Sequence, residues 1–209
     1  MYGLINKAIG EMVCSHFGEK AWDDIRRQAE LEIREFVSMD TYPDDLTHRL
    51  VKAAGEVLQL SPAQVMHAFG EYWVEFVSKT GYEALMEMSG DTLPEFLHNL
   101  DDLHTRLGVS FPEFCPPAFQ ADEPNEHTVN LHYHSEREGL APMVMGLVKG
   151  LGDRFDTEVD VVHIQQKSEG ADHDEFSIQY RENSACDINA RDINARDMNF
   201  NDVDEESKR

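Results

Sequence analysis

The chain has 209 residues, 41% hydrophobic and 28% charged, the mix of a soluble globular protein with enough apolar mass for a core and length for one domain, or one domain plus a short appendage. Its 18 Lys and Arg against 41 Asp and Glu give a formal charge of −23, which excludes binding to a nucleic-acid backbone and charge-driven docking on an anionic membrane, since both need clustered cations. Cys14, Cys115 and Cys186 form no CxxC pair, so neither a disulfide framework nor a thiolate zinc knuckle is expected, and the usage fits a reducing cytosol. No apolar run nears the roughly 18–20 residues of a membrane span, and polar residues enter the N-terminal stretch too early for a signal peptide.

In chain order, about the first hundred residues read as helices. Leu4, Ile5, Ala8, Ile9, Met12 and Val13 make one apolar face that Gly18 closes. A second segment surrounds Trp22, Ile25 and Ala29, and a third runs from Asp44–Asp45 through Leu58. Ser61-Pro62 starts a fourth, a cap followed by proline at the first helical position, carrying Val65, Met66, Phe69, Trp73 and Val77. A short piece spans Tyr82–Met88. Thr92-Leu93-Pro94-Glu95 is a capping-box pattern, and the helix it opens is expected to run as one piece to a stop at Gly108.

After the connection SFPEFCPPAF the period changes to that of strands. Residues 127–137 alternate, with Val129, Leu131, Tyr133, Ser135 and Arg137 on one face and His132, His134 and Glu136 on the other. An amphipathic helix follows over 140–155, then strands near 158–166 and 175–181 joined by the hairpin connection SEGADHD. Helices first, then β-α-β-β, means α+β with an antiparallel sheet. From about Asn183 the near-repeats DINAR, DINAR and DMNFN are too few for a solenoid core, so residues 183–209 read as a low-complexity, disordered tail.

His104 lies inside the apolar stripe of its own helix, with Leu97, Leu100 and Leu107. The plain reading is a core histidine whose two nitrogens are satisfied internally. The functional reading is a metal or haem ligand, since a neutral imidazole facing an apolar pocket is what haem iron takes as its proximal partner. Tyr133, Ser135 and Arg137 form a row of two hydroxyls and a guanidinium, either an incidental polar run or a comb for carboxylates such as the haem propionates. Other candidates read as weaker. His132 and His134 lack a carboxylate or thiolate to complete a zinc site. Asp172-His173-Asp174-Glu175 falls in the expected turn, and Cys115 has no activating base. No GxSxG, P-loop, GxGxxG or HExxH is present.

These residues converge on a known pattern. Over residues 1–182 the chain resembles the H-NOX (haem-nitric oxide/oxygen binding) domains, including the haem domain of the soluble guanylate cyclase β subunit and stand-alone bacterial sensors. The resemblance rests on MYGLINKAI, FGEYWVEF, LPEFLHNLDDLH, CPPAF, LHYHSEREGL, HIQQ and the intact Y-x-S-x-R signature Tyr133-His134-Ser135-Glu136-Arg137. It implies an N-terminal helical subdomain, a C-terminal antiparallel sheet with a helix, and haem b buried between them. It implies His104 as proximal iron ligand and Tyr133, Ser135 and Arg137 as propionate partners. Pro117 matches a proline that presses on the porphyrin, Ile5 and Leu147 match apolar contacts, and Trp73 and Met143 fall in the distal pocket.

Family members that bind O₂ stably carry a distal tyrosine and asparagine; Met143 and Trp73 stand there instead. The resemblance therefore implies a non-enzymatic cytoplasmic sensor of NO and CO, in which NO weakens the bond to His104. Its effector would be a separate protein, a histidine kinase, a cyclic-di-GMP enzyme or a guanylate cyclase. The alternatives are an O₂ sensor of the same fold using the Trp73 indole N–H, and a haem-free interaction or scaffold protein. A haem nitrite reductase or peroxidase is a poor fit, because no distal His/Arg pair is evident.

Overall fold

A computed structural model of the protein describes residues 1–111 and 115–182. The expected tail, 183–209, lies outside the described residues. The N-terminal helices are α1 (Gly3–Phe17), α2 (Glu19–Gln28), α3 (Asp44–Leu58), α4 (Pro62–Lys79) and the short α5 (Glu83–Glu87). Then come α6 (Leu93–His98), α7 (Leu100–Ser110), β1 (Ala118–Asn125), β2 (Thr128–His134), α8 (Ala141–Arg154), β3 (Thr157–Gln165) and β4 (Asp174–Glu182). The sheet is antiparallel in the order β1-β2-β4-β3. The α+β class is as expected. No helix of the described residues is long and apolar enough to cross a membrane.

Local chemistry explains most of the boundaries. At α4 the full capping box forms: Gln64 N–H donates to the Ser61 hydroxyl and the Ser61 N–H donates to the Gln64 side chain. At α6 it forms only in half. Glu95 N–H donates to Thr92 Oγ1, but the Glu95 carboxylate accepts from Asp91 N–H instead.

The single helix expected from Thr92 to Gly108 is two. Asn99 sits at φ −93°, ψ 5° and its side-chain amide donates to the Ser89 carbonyl at 3.1 Å. Such local bonding by asparagine competes with a continuing helix. Gly108 does not stop α7, which runs on to Ser110.

Strand β1 was not expected. Its sequence AFQADEPN is polar and contains a proline. Both are tolerated because β1 lies at the edge of the sheet, where few residues are buried and a missing N–H costs no ladder bond. Conversely, β2 stops at His134, so Ser135 and Arg137 lie beyond the strand rather than on its face. Asp174 belongs to β4 and not to the turn, so the strand begins one residue earlier than expected.

Two apolar cores result. One joins α1 to α4, around Ile9, Met12, Ile25, Leu50 and Phe69. The other joins the inner face of the sheet to α6, α7 and α8, around Leu93, Leu97, Leu131, Val148, Phe176 and Ile178. The elements α4 and α8 bridge them by close crossing. A Cβ on Gly70 would lie 2.2 Å from the Met143 carbonyl oxygen, and one on Gly146 only 2.0 Å from that of His67. Only glycine permits this backbone-to-backbone approach.

Candidate functional site

The candidate site is built from α7, β1 and β2, whose Phe119 and Tyr133 belong to the sheet core. His104 is on the second turn of α7 and is half-buried. Its Nδ1 lies 2.8 Å from the Leu100 carbonyl, one turn back on the same helix. A carbonyl can only accept, so Nδ1 carries the proton and Nε2 is the lone-pair nitrogen. Burial pushes the imidazole pKa below its ordinary value; the Leu100 bond and the nearby Asp101 oppose this without reversing it. A neutral ring with fixed tautomer is the form that ligates a metal.

The Asp101 carboxylate, on the first turn of α7, accepts from the Phe119 N–H at 3.0 Å and so ties that helix to β1. Phe119 then lies against the His104 ring, with centroids 5.2 Å apart and planes 28° from parallel. Phe119 is also the direct cross-strand partner of Tyr133, at 5.3 Å between centroids. An unbroken aromatic path therefore leads from His104 to Tyr133.

Tyr133 is 3% exposed. Burial raises its pKa, while a hydrogen bond with the Ser135 hydroxyl pulls the other way. Ser135 Oγ also accepts from the Arg137 N–H at 3.1 Å. The guanidinium is fastened twice, by Nε to Asp44 Oδ2 and by Nη1 to the Cys115 carbonyl, each at 3.0 Å. The three residues thus remain together although only Tyr133 is on the strand. Asp44, at the start of α3, also receives the N-terminal ammonium of Met1 on Oδ1 at 2.6 Å. One carboxylate thereby joins the first residue of the chain to the Tyr-Ser-Arg motif.

The five expected pocket contacts, Ile5, Trp73, Pro117, Met143 and Leu147, are all half-buried. Ile5, Trp73 and Met143 pack against the helical core and Leu147 against the sheet core. Trp73 stacks on Phe76 at 5.7 Å. Half-buried apolar side chains suit the wall of a pocket for a large, flat, apolar group.

Sequence reasoning missed three members of this site. Phe119 was hidden in what read as a connection. Asp44 is 93 residues from Arg137, and no spacing rule joins them. The Leu100 carbonyl had a readable signal: a histidine at i+4 on a helix can bond back to it.

The comparisons with known proteins show the family. The family model described as Haem-NO-binding matches residues 2–163. The chain belongs to the haem-NO-binding, or H-NOX, family. Soluble guanylate cyclase gcy-35 of Caenorhabditis elegans is 31% identical over 173 residues, covering 81% of this chain and 25% of that protein. The guanylate cyclase soluble subunit beta-2 of Rattus norvegicus is 38% identical over 96 residues, covering 46% of this chain and 14% of that protein. The chain thus spans a quarter or less of the length of these two relatives.

Among solved structures, an H-NOX protein from S. oneidensis in the Fe(II)NO state superposes with a TM-score of 0.79 at 21% identity, over 87% of this chain and all of the other. Unliganded Fe(II) H-NOX from K. algicida gives 0.76 at 22% identity, over 88% and 98%. H-NOX domains are haem-binding gas-sensor domains. The donor set described above fits that group: one neutral imidazole, three side chains suited to carboxylates, and half-buried apolar side chains on α1, α4 and α8.

Proposed function

We propose that this H-NOX chain is a sensor of NO and CO, using ferrous haem b held through His104. Tyr133, Ser135 and Arg137 would take the propionates, and Ile5, Trp73, Pro117, Met143 and Leu147 would line the pocket. The observation that carries this reading is His104: a neutral imidazole with Nδ1 anchored at 2.8 Å, reaching Tyr133 through Phe119. Bound there, ferrous haem supplies an iron that takes a diatomic gas.

The residues of the chain do the rest. The Leu100 carbonyl holds the His104 ring in one tautomer and one orientation. Arg137 presents a planar fork of five donors, part of it already fixed by Asp44 and Cys115. On the α4–α8 side, the Met143 thioether offers no hydrogen to a held gas, and the Trp73 indole is stacked on Phe76. O₂ held at this site would carry partial negative charge and would need a donor worth roughly 1–3 kcal/mol; NO and CO need it far less.

The link from Arg137 through Asp44 to Met1 and α3 supplies a route by which movement at the motif reaches the N-terminal helices. An effector in trans would read that difference through contacts that favour one state. The effector classes this reading admits are a histidine kinase, a cyclic-di-GMP enzyme or a guanylate cyclase, and its setting is the cytoplasm.

The test is an absorption spectrum of the purified, reduced, anaerobic protein, followed by NO, CO and air in turn. The expected result is a ferrous haem spectrum that moves with NO and CO and not with air. A stable complex in air would turn the reading to O₂ sensing, with Trp73 as the donor. A colourless protein would overturn it. His104→Gly is expected to lose the haem, and added imidazole to restore it.

A further inference from the structure

The outer face of the sheet, away from the two cores, carries a second group of ligating side chains. Pairing of β2 with β4 sets His132 directly opposite Glu175. His173, in the bend just before β4, leans over the same spot and its ring stacks on that of His134 at 4.3 Å. The sequence kept these residues in two weak groups, His132 with His134 and Asp172 through Glu175. The fold merges them and adds Asp122 of β1.

The hydrogen bonds fix the protons. His132 Nε2 lies 2.8 Å from Asp122 Oδ1 and His173 Nδ1 lies 2.7 Å from Asp172 Oδ1. Carboxylates at neutral pH only accept, so both of these ring nitrogens carry hydrogen. The remaining two, His132 Nδ1 and His173 Nε2, face each other at 2.9 Å. Two neutral rings would aim two lone pairs at one another. The arrangement calls for one positive charge between them, either a shared proton or a metal ion. Glu175 supplies the third donor: one ligand atom from each of His132, His173 and Glu175 lie within 4.8 Å of one another, and all three residues are half-buried.

We propose that His132, His173 and Glu175 bind a divalent transition-metal ion, with zinc the best match, at a site separate from the haem pocket. Two imidazoles and a carboxylate are a recognised zinc donor set, with water taking the fourth position. Imidazole also selects against Mg²⁺ and Ca²⁺, which prefer oxygen ligands. Both ligating rings donate their outer N–H to carboxylates, as ligating histidines almost always do. Zn–N bonds of about 2.0–2.1 Å in a tetrahedral site separate the nitrogens by about 3.3 Å. The facing pair therefore opens by about 0.4 Å, a small rotation that the bend before β4 allows His173. Once bound, the metal fastens β2 to the turn between β3 and β4.

The test uses the tag-free full chain as purified, stripped with a chelator. Zn²⁺ is titrated against a chromophoric competitor, Co²⁺ is followed by its visible d–d absorption, and metal content is measured apart from iron. One equivalent of Zn²⁺ per chain is expected, unaffected by excess Mg²⁺ or Ca²⁺, with a rise in the unfolding midpoint and no change in any haem absorption. His132→Ala and His173→Ala are expected to abolish that equivalent, and Asp122→Asn to weaken it about 10–100-fold. His127→Ala, at an exposed histidine outside the cluster, keeps it. Because His132 sits in the sheet, His173→Ala in the bend and the isosteric Glu175→Gln, read alongside circular dichroism, separate lost binding from lost fold. Absence of a stoichiometric equivalent, or its retention in both the His173 and Glu175 variants, would overturn the proposal and leave a proton shared between the two rings.

Discussion

At the scale of single residues, Asp44 carries more connections than its partly exposed position suggests. The N-terminal ammonium holds its carboxyl below the usual range; partial burial opposes this, and Arg137 adds to the lowering. A carboxyl whose folded pKa is depressed contributes stability above its unfolded value, and loses it as pH falls through the folded value. The contribution is therefore full above about pH 4 and fades in more acid solution. Its size is limited because the side chain is 41% exposed, and exposed pairs give roughly 0.2–1 kcal/mol. Asp44→Asn should lower stability near neutrality by about that amount and flatten the acid limb of a stability-against-pH curve. Urea unfolding from pH 7 down to about pH 3 checks this; an acid limb identical to that of the parent would show that the network adds nothing.

At the scale of elements, the crossing of α4 and α8 would set the shape of the proposed pocket wall, because α4 carries Trp73 and α8 carries Met143 and Leu147. Gly146→Ala sets two effects against each other. Alanine gains about 1 kcal/mol of helix propensity, but its Cβ would meet the His67 carbonyl at 2.0 Å, and both atoms belong to rigid helices. Overpacking of about 1–3 kcal/mol should win, so the variant is expected to be less stable in urea and to bind haem less tightly. Equal or greater stability would mean that the helices part without cost. The α8 pattern itself was plain in the sequence, as were α1, α3, α4 and the inward face of β2, because each buries one regular face. What escaped reading was set by distant contacts. Asn99 breaks a helix whose apolar period runs straight through it, since its amide is drawn to Ser89. Strand β1 has almost no strand-like composition and forms because β2 offers it a free edge. His104, Tyr133, Ser135 and Arg137 were legible as a set, whereas Phe119 and Asp44, which join them to one another and to the N-terminus, become visible only when the chain is folded. The outer-face histidines follow the same rule: His132 and Glu175 meet through strand register, which neither local sequence encodes.

At the scale of the whole molecule, the dominant property is a charge of −23. Repulsion of that size disfavours self-association and any acidic partner, and it favours a partner with a basic docking face. Such complementarity acts mainly on the rate of encounter, because rim charges steer approach over distances of a Debye length, about 10 Å at 0.1 M salt. Short-range packing, which sets the rate of separation, is little affected. If the proposed sensor signals in trans, its association rate with the effector should fall by about tenfold or more between roughly 0.05 and 0.5 M salt, with a nearly constant dissociation rate. Stopped-flow or surface-binding kinetics at several salt concentrations would resolve the two rates. An association rate indifferent to salt would place the docking surface on an uncharged patch, such as the exposed Val162 and Ile164 of β3, and would remove net charge from the account of partner choice.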